Sequence, residues 1–143
     1  MKKRVMVDLN VIIDVLENRP EWVVDSARAC ALCAERKVIG FVPVHALTTI
    51  YYIVRKRGGK ALADRSVDWL LSTFRIARCG APQFRTAQAC DVDDFEDAVV
   101  AASAAAEKCS AIITRNTGHF TSSPVPAVTP SVFRLSCEGP LVV

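Results

Sequence analysis

The sequence predicts an α/β fold, a three-layer α/β/α sandwich with a mainly parallel central sheet. Short, fully apolar runs alternate with amphipathic stretches of ten or more residues, which is typical of βαβ units covered by helices on both faces. Apolar residues make up 51% of the chain and aromatic residues only 7%, a composition that suits buried strands and helices. A chain of 143 residues is long enough for one core, so we expect a single domain spanning 1–143.

The strands are predicted from apolar runs too short to be helices. The clearest runs are residues 4–7, 38–44 and 110–114, with a weak strand at 75–79 and a last short strand at 125–130. Continuous apolar runs of this length indicate strands that are buried on both faces. The final stretch, 137–143, is compatible with either a loose tail or an edge strand.

The helices are predicted from apolar residues that recur with a period near 3.6. The periodic stretches are 11–19, 21–37, 45–57, 60–74, 82–90 and 95–109. Asn10 is suited to cap the first helix, Gly58 and Gly59 to stop the third, and Pro82 to begin the fifth. Residues 115–123 are predicted to form a polar loop.

Charge and cysteine content narrow the function classes. A formal charge of +3 permits a nucleic-acid partner without demonstrating one. The first residues run into a strand and not into a signal peptide, and no apolar stretch approaches the roughly 20 residues of a membrane span, so we expect a cytoplasmic protein. There are six cysteines, and the Cys30–Cys33 pair lacks the partners of a zinc site, so reduced thiols packed in helices are expected.

Four polar residues fall where ligands bind in open α/β sheets, beyond the carboxyl ends of the strands. Asp8 follows the first strand, Asn116 follows the strand at 110–114, and Asp94 and Asp97 open the Ala-rich helix on one face. Helix capping alone would explain any single aspartate. Several converging carboxylates must share a cation or raise one another's pKa, and oxygen-rich sites suit Mg²⁺ or Mn²⁺, the ions of hydrolytic phosphoryl transfer.

Three segments together resemble the PIN domain, a family of metal-dependent ribonucleases found in bacteria largely as the toxins of VapC-type toxin–antitoxin pairs. The segments are "VMVDLNVIIDVLENR", "DFEDAVVAASAAAEKCSAIITRNTGHF" and "VPAVTPSVF". The resemblance implies that Asp8, Asp94 and Asp97 hold Mg²⁺ or Mn²⁺ and that Asn116 completes the catalytic set. It also implies RNA as substrate, a small antitoxin as protein partner, and a homodimer.

The sequence departs from the family pattern at the helix after the second strand. The family usually places a Glu there, whereas this chain has Thr48 or Thr49 and no acid between 38 and 57. His119 likewise stands where an Asp is frequent. Two functions remain: an endoribonuclease with a reduced acidic cluster, which we favour, and a degenerate PIN domain that binds RNA or protein without cutting.

Further residues are candidates for contact with the substrate. Arg115, beside the proposed site, is predicted to touch the scissile phosphate, and Thr114 and Thr48 are predicted to bind substrate. Asp14 is expected to be a solvated or hydrogen-bonded acid and not a metal ligand. The cations at 55–57 and 60 suit phosphate contacts and a solvated helix end equally well. The tyrosines at 51–52 are expected in the core or in a dimer contact, and base stacking on them is the less favoured alternative.

Overall fold

The computed structural model describes residues 1–139, which form five strands and seven helices. The strands are β1 (Arg4–Val7), β2 (Ile39–Val42), β3 (Arg75–Ile76), β4 (Ala111–Ile113) and β5 (Ala127–Val128). The helices are α1 (Leu9–Leu16), α2 (Val23–Ala34), α3 (Val44–Gly58), α4 (Lys60–Thr73), α5 (Ala81–Ala89), α6 (Phe95–Ala106) and α7 (Pro130–Glu138). A short 3₁₀ helix spans Thr117–Phe120.

The five strands form one sheet in the order β3-β2-β1-β4-β5, and every neighbouring pair is parallel. In the central register, Met6 of β1 lies between Phe41 of β2 and Ile112 of β4. Because all strands run in the same direction, their carboxyl ends lie along one edge of the sheet, which we call the carboxyl edge. The predicted fold class, a parallel α/β/α sandwich, is confirmed.

Alternate residues of β1 enter different cores, which gives the fold its three layers. Val5 and Val7 pack with residues of α1, α2, α3, α4 and α7 on one face of the sheet. Met6 points to the other face and packs with Val100 and Ala104 of α6. Helix α5 then packs on α6 around Ala87. All three of these β1 side chains are fully buried, as their unbroken apolar run predicted.

Several helices end earlier than their apolar period predicted. The predicted ends at 19, 37 and 109 are replaced by observed ends at Leu16, Ala34 and Ala106. Asn18, Arg36 and Lys108 follow these ends with φ of 49°, 60° and 56°. This left-handed conformation terminates a helix, although the apolar spacing continues past it.

Two further predictions need correction. The cap of α1 is Asp8 and not Asn10, because the Asp8 side chain accepts a hydrogen bond from Leu9 N and the helix begins at Leu9. Helix α7 was not predicted: Thr129 caps it, and Pro130 occupies its first turn. Of the stretch 137–143, Cys137 and Glu138 belong to α7, whereas 140–143 lie outside the described residues.

No helix within residues 1–139 combines the length and the apolar character needed to cross a membrane.

Candidate active site

Asp8 stands at the carboxyl edge, directly after the central strand. Its backbone N–H donates to the Ile113 carbonyl at 2.9 Å, so the hydrogen bonding between β1 and β4 extends to Asp8 itself. Its Oδ1 accepts from Leu9 N at 2.8 Å, which satisfies a free amide at the start of α1. Only 8% of Asp8 is exposed, so its carboxylate is held in place by the turn from strand to helix.

The other oxygen of Asp8 is held by the end of β4. Thr114, which is fully buried, donates its hydroxyl to Asp8 Oδ2 at 2.8 Å. The same hydroxyl oxygen accepts from Asn10 Nδ2 and from Asn116 N, both at 3.1 Å. Asn10 also accepts from Arg115 N at 3.3 Å. A network of hydrogen bonds therefore joins the start of α1 to the segment after β4 and fixes the orientation of the Asp8 carboxylate.

Asp94 and Asp97 come from the start of α6. Asp94 caps the helix, and its Oδ1 accepts from Asp97 N at 3.0 Å. Asp94 is exposed, whereas the side chain of Asp97 is only 20% exposed. The predicted reason for Asp94, helix capping, therefore applies, while Asp97 has no capping role. Its position on the first turn directs it to the same edge of the sheet as Asp8.

The pKa values of two carboxyl groups show how these acids interact. Burial raises the pKa of Asp97, and the negative charges of Asp8 and then Asp94 raise it further. Burial also raises the pKa of Asp8, although the hydrogen bonds from Thr114 and Leu9 oppose that shift. The charges of Asp8 and Asp94 therefore disfavour the ionised form of Asp97. A divalent cation bound beside Asp97 would offset that repulsion.

Two histidines flank the acids. His119 Nδ1 lies 3.3 Å from Asp97 Oδ2, so this loop residue contacts a site carboxylate. His45, in the first turn of α3, places Nε2 3.4 Å from Glu96 Oε1. No role was predicted for His45, and only its position three residues after the end of β2 could have pointed to the carboxyl edge. Both contacts are ion pairs when the imidazole is protonated.

The predicted residues Thr114, Thr48 and Asn116 differ in how close they lie to the hydrogen-bond network around Asp8. Thr114 is at the centre of the site network. Thr48 is exposed on α3, and its hydroxyl donates to the His45 carbonyl at 3.1 Å, within its own helix. Asn116 is exposed, and its backbone N–H donates to Thr114. The roles of these three residues toward substrate or metal stay predictions.

Arg115 contacts an acid that is itself buried. Its Nε lies 2.7 Å from Asp14 Oδ2, and its guanidinium lies 4.8 Å from the centre of the Trp22 ring. Asp14 is fully buried, accepts a hydrogen bond from Ser26 Oγ at 3.3 Å, and has Arg19 at 3.6 Å. Asp14 is therefore the hydrogen-bonded acid of the two alternatives. The contact of Arg115 with a phosphate stays a prediction.

An open groove of about 530 Å³ lies beside the acids, lined by the loop before α6 and the 3₁₀ helix. Its acidic lining comprises Asp91, Asp93, Asp94 and Asp97, and His119 lines it as well. Across residues 1–139, no three His, Cys, Asp or Glu side chains are arranged closely enough to bind one metal ion by themselves. Any ion held here would take part of its coordination from water or from amide oxygens.

The fold and this site define a class of protein: a parallel α/β/α sandwich with a carboxylate site at the carboxyl edge of its sheet. The sequence model of the PIN domain matches residues 4–118. The chain therefore belongs to the PIN domain family, as its motifs indicated. Members of this family are nucleases, which places the chain among hydrolases by membership.

Solved structures with the same fold include proteins of toxin–antitoxin systems. VapBC2 from Rickettsia felis, solved with a DNA fragment from its promoter, has a TM-score of 0.68 and 18% identity over 88% of this chain and 98% of that chain. A toxin–antitoxin complex from Klebsiella pneumoniae has a TM-score of 0.66 and 21% identity over 88% of this chain and 97% of that chain.

Mycobacterium tuberculosis VapC20, a toxin that cleaves the sarcin-ricin loop, has a TM-score of 0.59 and 16% identity over 76% of this chain and 86% of that chain. At these identities the likeness shows a shared fold. No curated protein sequence matches this chain.

Proposed function

We propose that the protein is a Mg²⁺- or Mn²⁺-dependent endoribonuclease that hydrolyses RNA phosphodiester bonds. One observation carries the proposal: Asp94 and Asp97 line one groove at the carboxyl edge, where Thr114 holds the buried carboxylate of Asp8. Burial, and then the charges of Asp8 and Asp94, raise the pKa of Asp97. Stability alone does not explain such an arrangement, because a partly buried acid that is repelled by its neighbours weakens the fold. Membership of the PIN domain family supports the reaction class.

The donor set fits a hydrated hard cation. Asp8, Asp94 and Asp97 offer carboxylate oxygens, and Asn116, after β4, would add a neutral amide oxygen. Mg²⁺ keeps several water ligands and is commonly bound by only one or two carboxylates, so a cluster without the usual family Glu remains sufficient. When bound, such an ion lowers the pKa of a water ligand and neutralises charge on a phosphate.

Other side chains would orient the acids and contact the phosphate. Thr114 and Asn10 keep the Asp8 carboxylate in one orientation by hydrogen bonds, so that it need not reorganise on metal binding. Asp97 would add a carboxylate to the groove, and His119 Nδ1, 3.3 Å from Asp97 Oδ2, would help to hold that carboxylate in place. Arg115 would add positive charge close to the phosphate, with its Nε 2.7 Å from the buried carboxylate of Asp14.

We further propose that the protein acts in the cytoplasm as the toxin of a toxin–antitoxin pair, as a homodimer neutralised by a small protein. The solved structures that support this are complexes of such pairs, from Rickettsia felis and Klebsiella pneumoniae. Co-expression with the product of an adjacent short reading frame should relieve growth arrest caused by the chain alone. Equal growth arrest with and without that product would contradict this part of the proposal.

Metal binding and cleavage test the core of the proposal. We expect millimolar Mn²⁺ or Mg²⁺ to raise the melting temperature of the wild type and to support cleavage of single-stranded RNA. Asp8→Asn and Asp97→Asn should each abolish both effects. Asp64→Asn is the matched control, because Asp64 is an acid of α4 that pairs with Lys60. A wild-type protein that shows neither a cation effect nor cleavage would overturn the assignment.

The same experiment tests a second function, a PIN domain that binds RNA or protein without cutting. The observation that favours it is the acid-free stretch 38–57, which leaves Thr48 and Thr49 at the place of the usual Glu. RNA binding without cation-dependent cleavage would support this second function. Cleavage that depends on Asp8 and Asp97 would exclude it.

A further inference from the structure

One face of α3 is turned to solvent, with side chains that are exposed or half-buried. Residues that recur every three or four positions share a helical face, and this face carries the following set, which we call the α3 stripe. Its members are His45, Thr48, Thr49, Tyr52, Arg55 and Lys56. The opposite face of the helix carries Ala46 and Ile50, which are fully buried.

The α3 stripe begins at the acidic site. Helix α3 starts directly after β2, so its first turn lies at the carboxyl edge. There, His45 Nε2 is 3.4 Å from Glu96 Oε1, one residue before Asp97. With a helical rise of about 1.5 Å per residue, Tyr52 lies about 10 Å and Lys56 about 16 Å further along the axis. The stripe therefore leads from the site across the surface.

Tyr52 has no packing role that would explain it. Its exposed fraction is 71%, which excludes a core position, one of the two expected places, for Tyr52, whereas Tyr51 is partly buried. Among residues 1–139, no stacked or edge-to-face ring pair includes Tyr52. An exposed aromatic ring beside positive charges is the usual platform for an unpaired base.

The basic run at the end of α3 divides into neutralised and free cations. Arg57 pairs with Glu17 at 3.3 Å, and Lys60 pairs with Asp64 at 2.7 Å. In the described part of the chain, neither Arg55 nor Lys56 forms an ion pair, and both are exposed. The two free cations are those of the α3 stripe. The helix dipole favours any cation in the last turn, so it does not explain why Arg55 and Lys56 are the two without an acidic partner among residues 1–139.

We propose that the α3 stripe binds single-stranded RNA and guides it to the acidic site. An unpaired base stacks on Tyr52, and Arg55 and Lys56 contact the phosphates beyond it. This inference rests on the proposed RNA substrate and adds the path of that substrate across the surface. Paired bases cannot present a face to Tyr52, so duplex RNA should bind more weakly.

A second copy of this chain suits the α3 stripe less well than RNA. A two-fold interface brings the same patch of both subunits together. Arg55 and Lys56 of one copy would then approach like charges of the other, and the stripe itself contains no acid to compensate them. A polyanion meets the same charges favourably.

The test measures RNA affinity in EDTA, so that cleavage cannot interfere. The probe is a fluorescently labelled single-stranded RNA of mixed sequence, followed by anisotropy over a range of salt concentrations. Tyr52→Ala should weaken binding about tenfold, while Tyr52→Phe, which keeps the ring, should bind as the wild type does. Arg55→Ala/Lys56→Ala should weaken binding and reduce the salt slope by about 0.7 for each phosphate that is no longer neutralised.

The matched control is Lys2→Ala/Lys3→Ala. It removes two exposed cations at the opposite edge of the sheet, before β1, and should leave affinity near that of the wild type. If both double variants lost RNA affinity equally, net charge alone would explain the loss, and the proposal would be overturned. Circular dichroism of each variant establishes that it is folded.

Other outcomes also decide whether the α3 stripe binds RNA. Unchanged affinity in the α3 stripe variants, equal affinity for duplex and single-stranded RNA, or no RNA binding by the wild type would each overturn the inference. Loss of a dimer in the variants at unchanged RNA affinity would assign the stripe to contact between copies. Cleavage in Mn²⁺ is measured separately. RNA binding that depends on the α3 stripe, without cleavage, would contradict the proposed nuclease activity and still support the proposed RNA path.

Discussion

At the scale of single residues, both carboxylate oxygens of Asp8 are held by hydrogen bonds. One oxygen caps α1, and the other accepts the hydroxyl of Thr114, a residue 106 positions away in sequence. Burial makes the charge of Asp8 unfavourable, and these two bonds recover part of that cost. The carboxylate is therefore both costly to bury and fixed in direction, a combination that serves ligand binding better than stability.

Thr114→Val tests this description of Asp8. The change keeps the shape of the side chain but removes the donor to Asp8 and the acceptor for Asn10 and Asn116. We expect a loss of about 1–3 kcal/mol in the free energy of unfolding, measured by urea denaturation, and a smaller Mn²⁺-induced rise in melting temperature. Thr73→Val, at another buried threonine outside the site, is the control and should leave the Mn²⁺ response unchanged. An unaltered Mn²⁺ response in Thr114→Val would contradict the role assigned to the hydroxyl.

At the scale of elements, the pair of Asp14 and Arg115 joins helix α1 to the segment that leaves β4. Asp14 is fully buried, and the contact of 2.7 Å connects it to the residue between Thr114 and Asn116. Ser26 of α2 donates to the same carboxylate, so three elements meet at one charge. A buried charge that loses its partner is strongly destabilising, unlike a broken surface pair.

Asp14→Asn should therefore cost about 3–5 kcal/mol of unfolding free energy. Arg115→Gln should cost less, because Arg19 still lies 3.6 Å from Asp14 Oδ1. The double variant should cost less than the sum of the two single changes, because Asp14 and Arg115 contact each other directly. Urea unfolding of the three variants measures the coupling. The pair of Lys60 and Asp64 at the surface supplies the control, since Asp64→Asn should change stability by about 0.5 kcal/mol or less. Additive losses at Asp14 and Arg115 would contradict the direct pairing.

The contact of β2 with α2 depends on a glycine. A Cβ atom on Gly40 would lie 2.5 Å from Cys33 Sγ and 2.9 Å from the Phe74 ring, closer than packed atoms approach. Gly40→Ala should destabilise the protein by about 1–3 kcal/mol in urea denaturation. Cys33→Ala added to it should restore part of the loss by opening space.

Gly118→Ala is the control for Gly40→Ala, since nothing lies within 4 Å of a Cβ built on Gly118. Its unfolding free energy should remain within about 0.5 kcal/mol of the wild type. Equal stability of the Gly40 and Gly118 variants would show that β2 and α2 can separate without cost.

At the scale of the whole molecule, the cysteines lie at different depths of the fold. The expectation of thiols packed in helices is correct for Cys30 and Cys33 of α2 but wrong for the other four. Cys109 is buried beside β4, Cys137 is exposed on α7, and Cys79 and Cys90 are half-buried outside the helices. Burial raises the pKa of Cys33 and of Cys109 to about 12, and it raises the pKa of Cys30 as well. A thiol is alkylated only when it is ionised and accessible to the reagent. Burial and a raised pKa therefore both protect Cys30, Cys33 and Cys109.

We expect iodoacetamide to label Cys137 first in the native protein and to label Cys30, Cys33 and Cys109 only through unfolding. Mass spectrometry of peptides after timed labelling measures each rate. The three buried thiols should react at one common slow rate, and Mn²⁺ should lower that rate while leaving Cys137 unchanged. Labelling of Cys30 as fast as that of Cys137 would contradict the cooperative core.

Much of the fold could be predicted because its determinants are local. Apolar runs identified the three central strands β1, β2 and β4, and a weaker signal at 75–79 identified β3. The 3.6-residue period identified the helices up to α6. Helix ends were less predictable, since a left-handed residue such as Asn18 follows the end of α1 while the apolar spacing continues. Helix α7 was missed because its opening Thr-Pro was included in the last predicted strand.

The sequence by itself determined the family, because the order of its motifs along the chain indicates a PIN domain. It also predicted Asp8, Asp94 and Asp97 as the acids of the site, from the strand end and helix start at which they stand. Only the tertiary structure decided which groups surround them. The bond of Thr114 to Asp8, the pairing of Asp14 with Arg115, and the place of His45 beside Glu96 each join segments that are distant in sequence. Such contacts depend on how the parallel sheet brings its carboxyl ends together, and no local pattern encodes them.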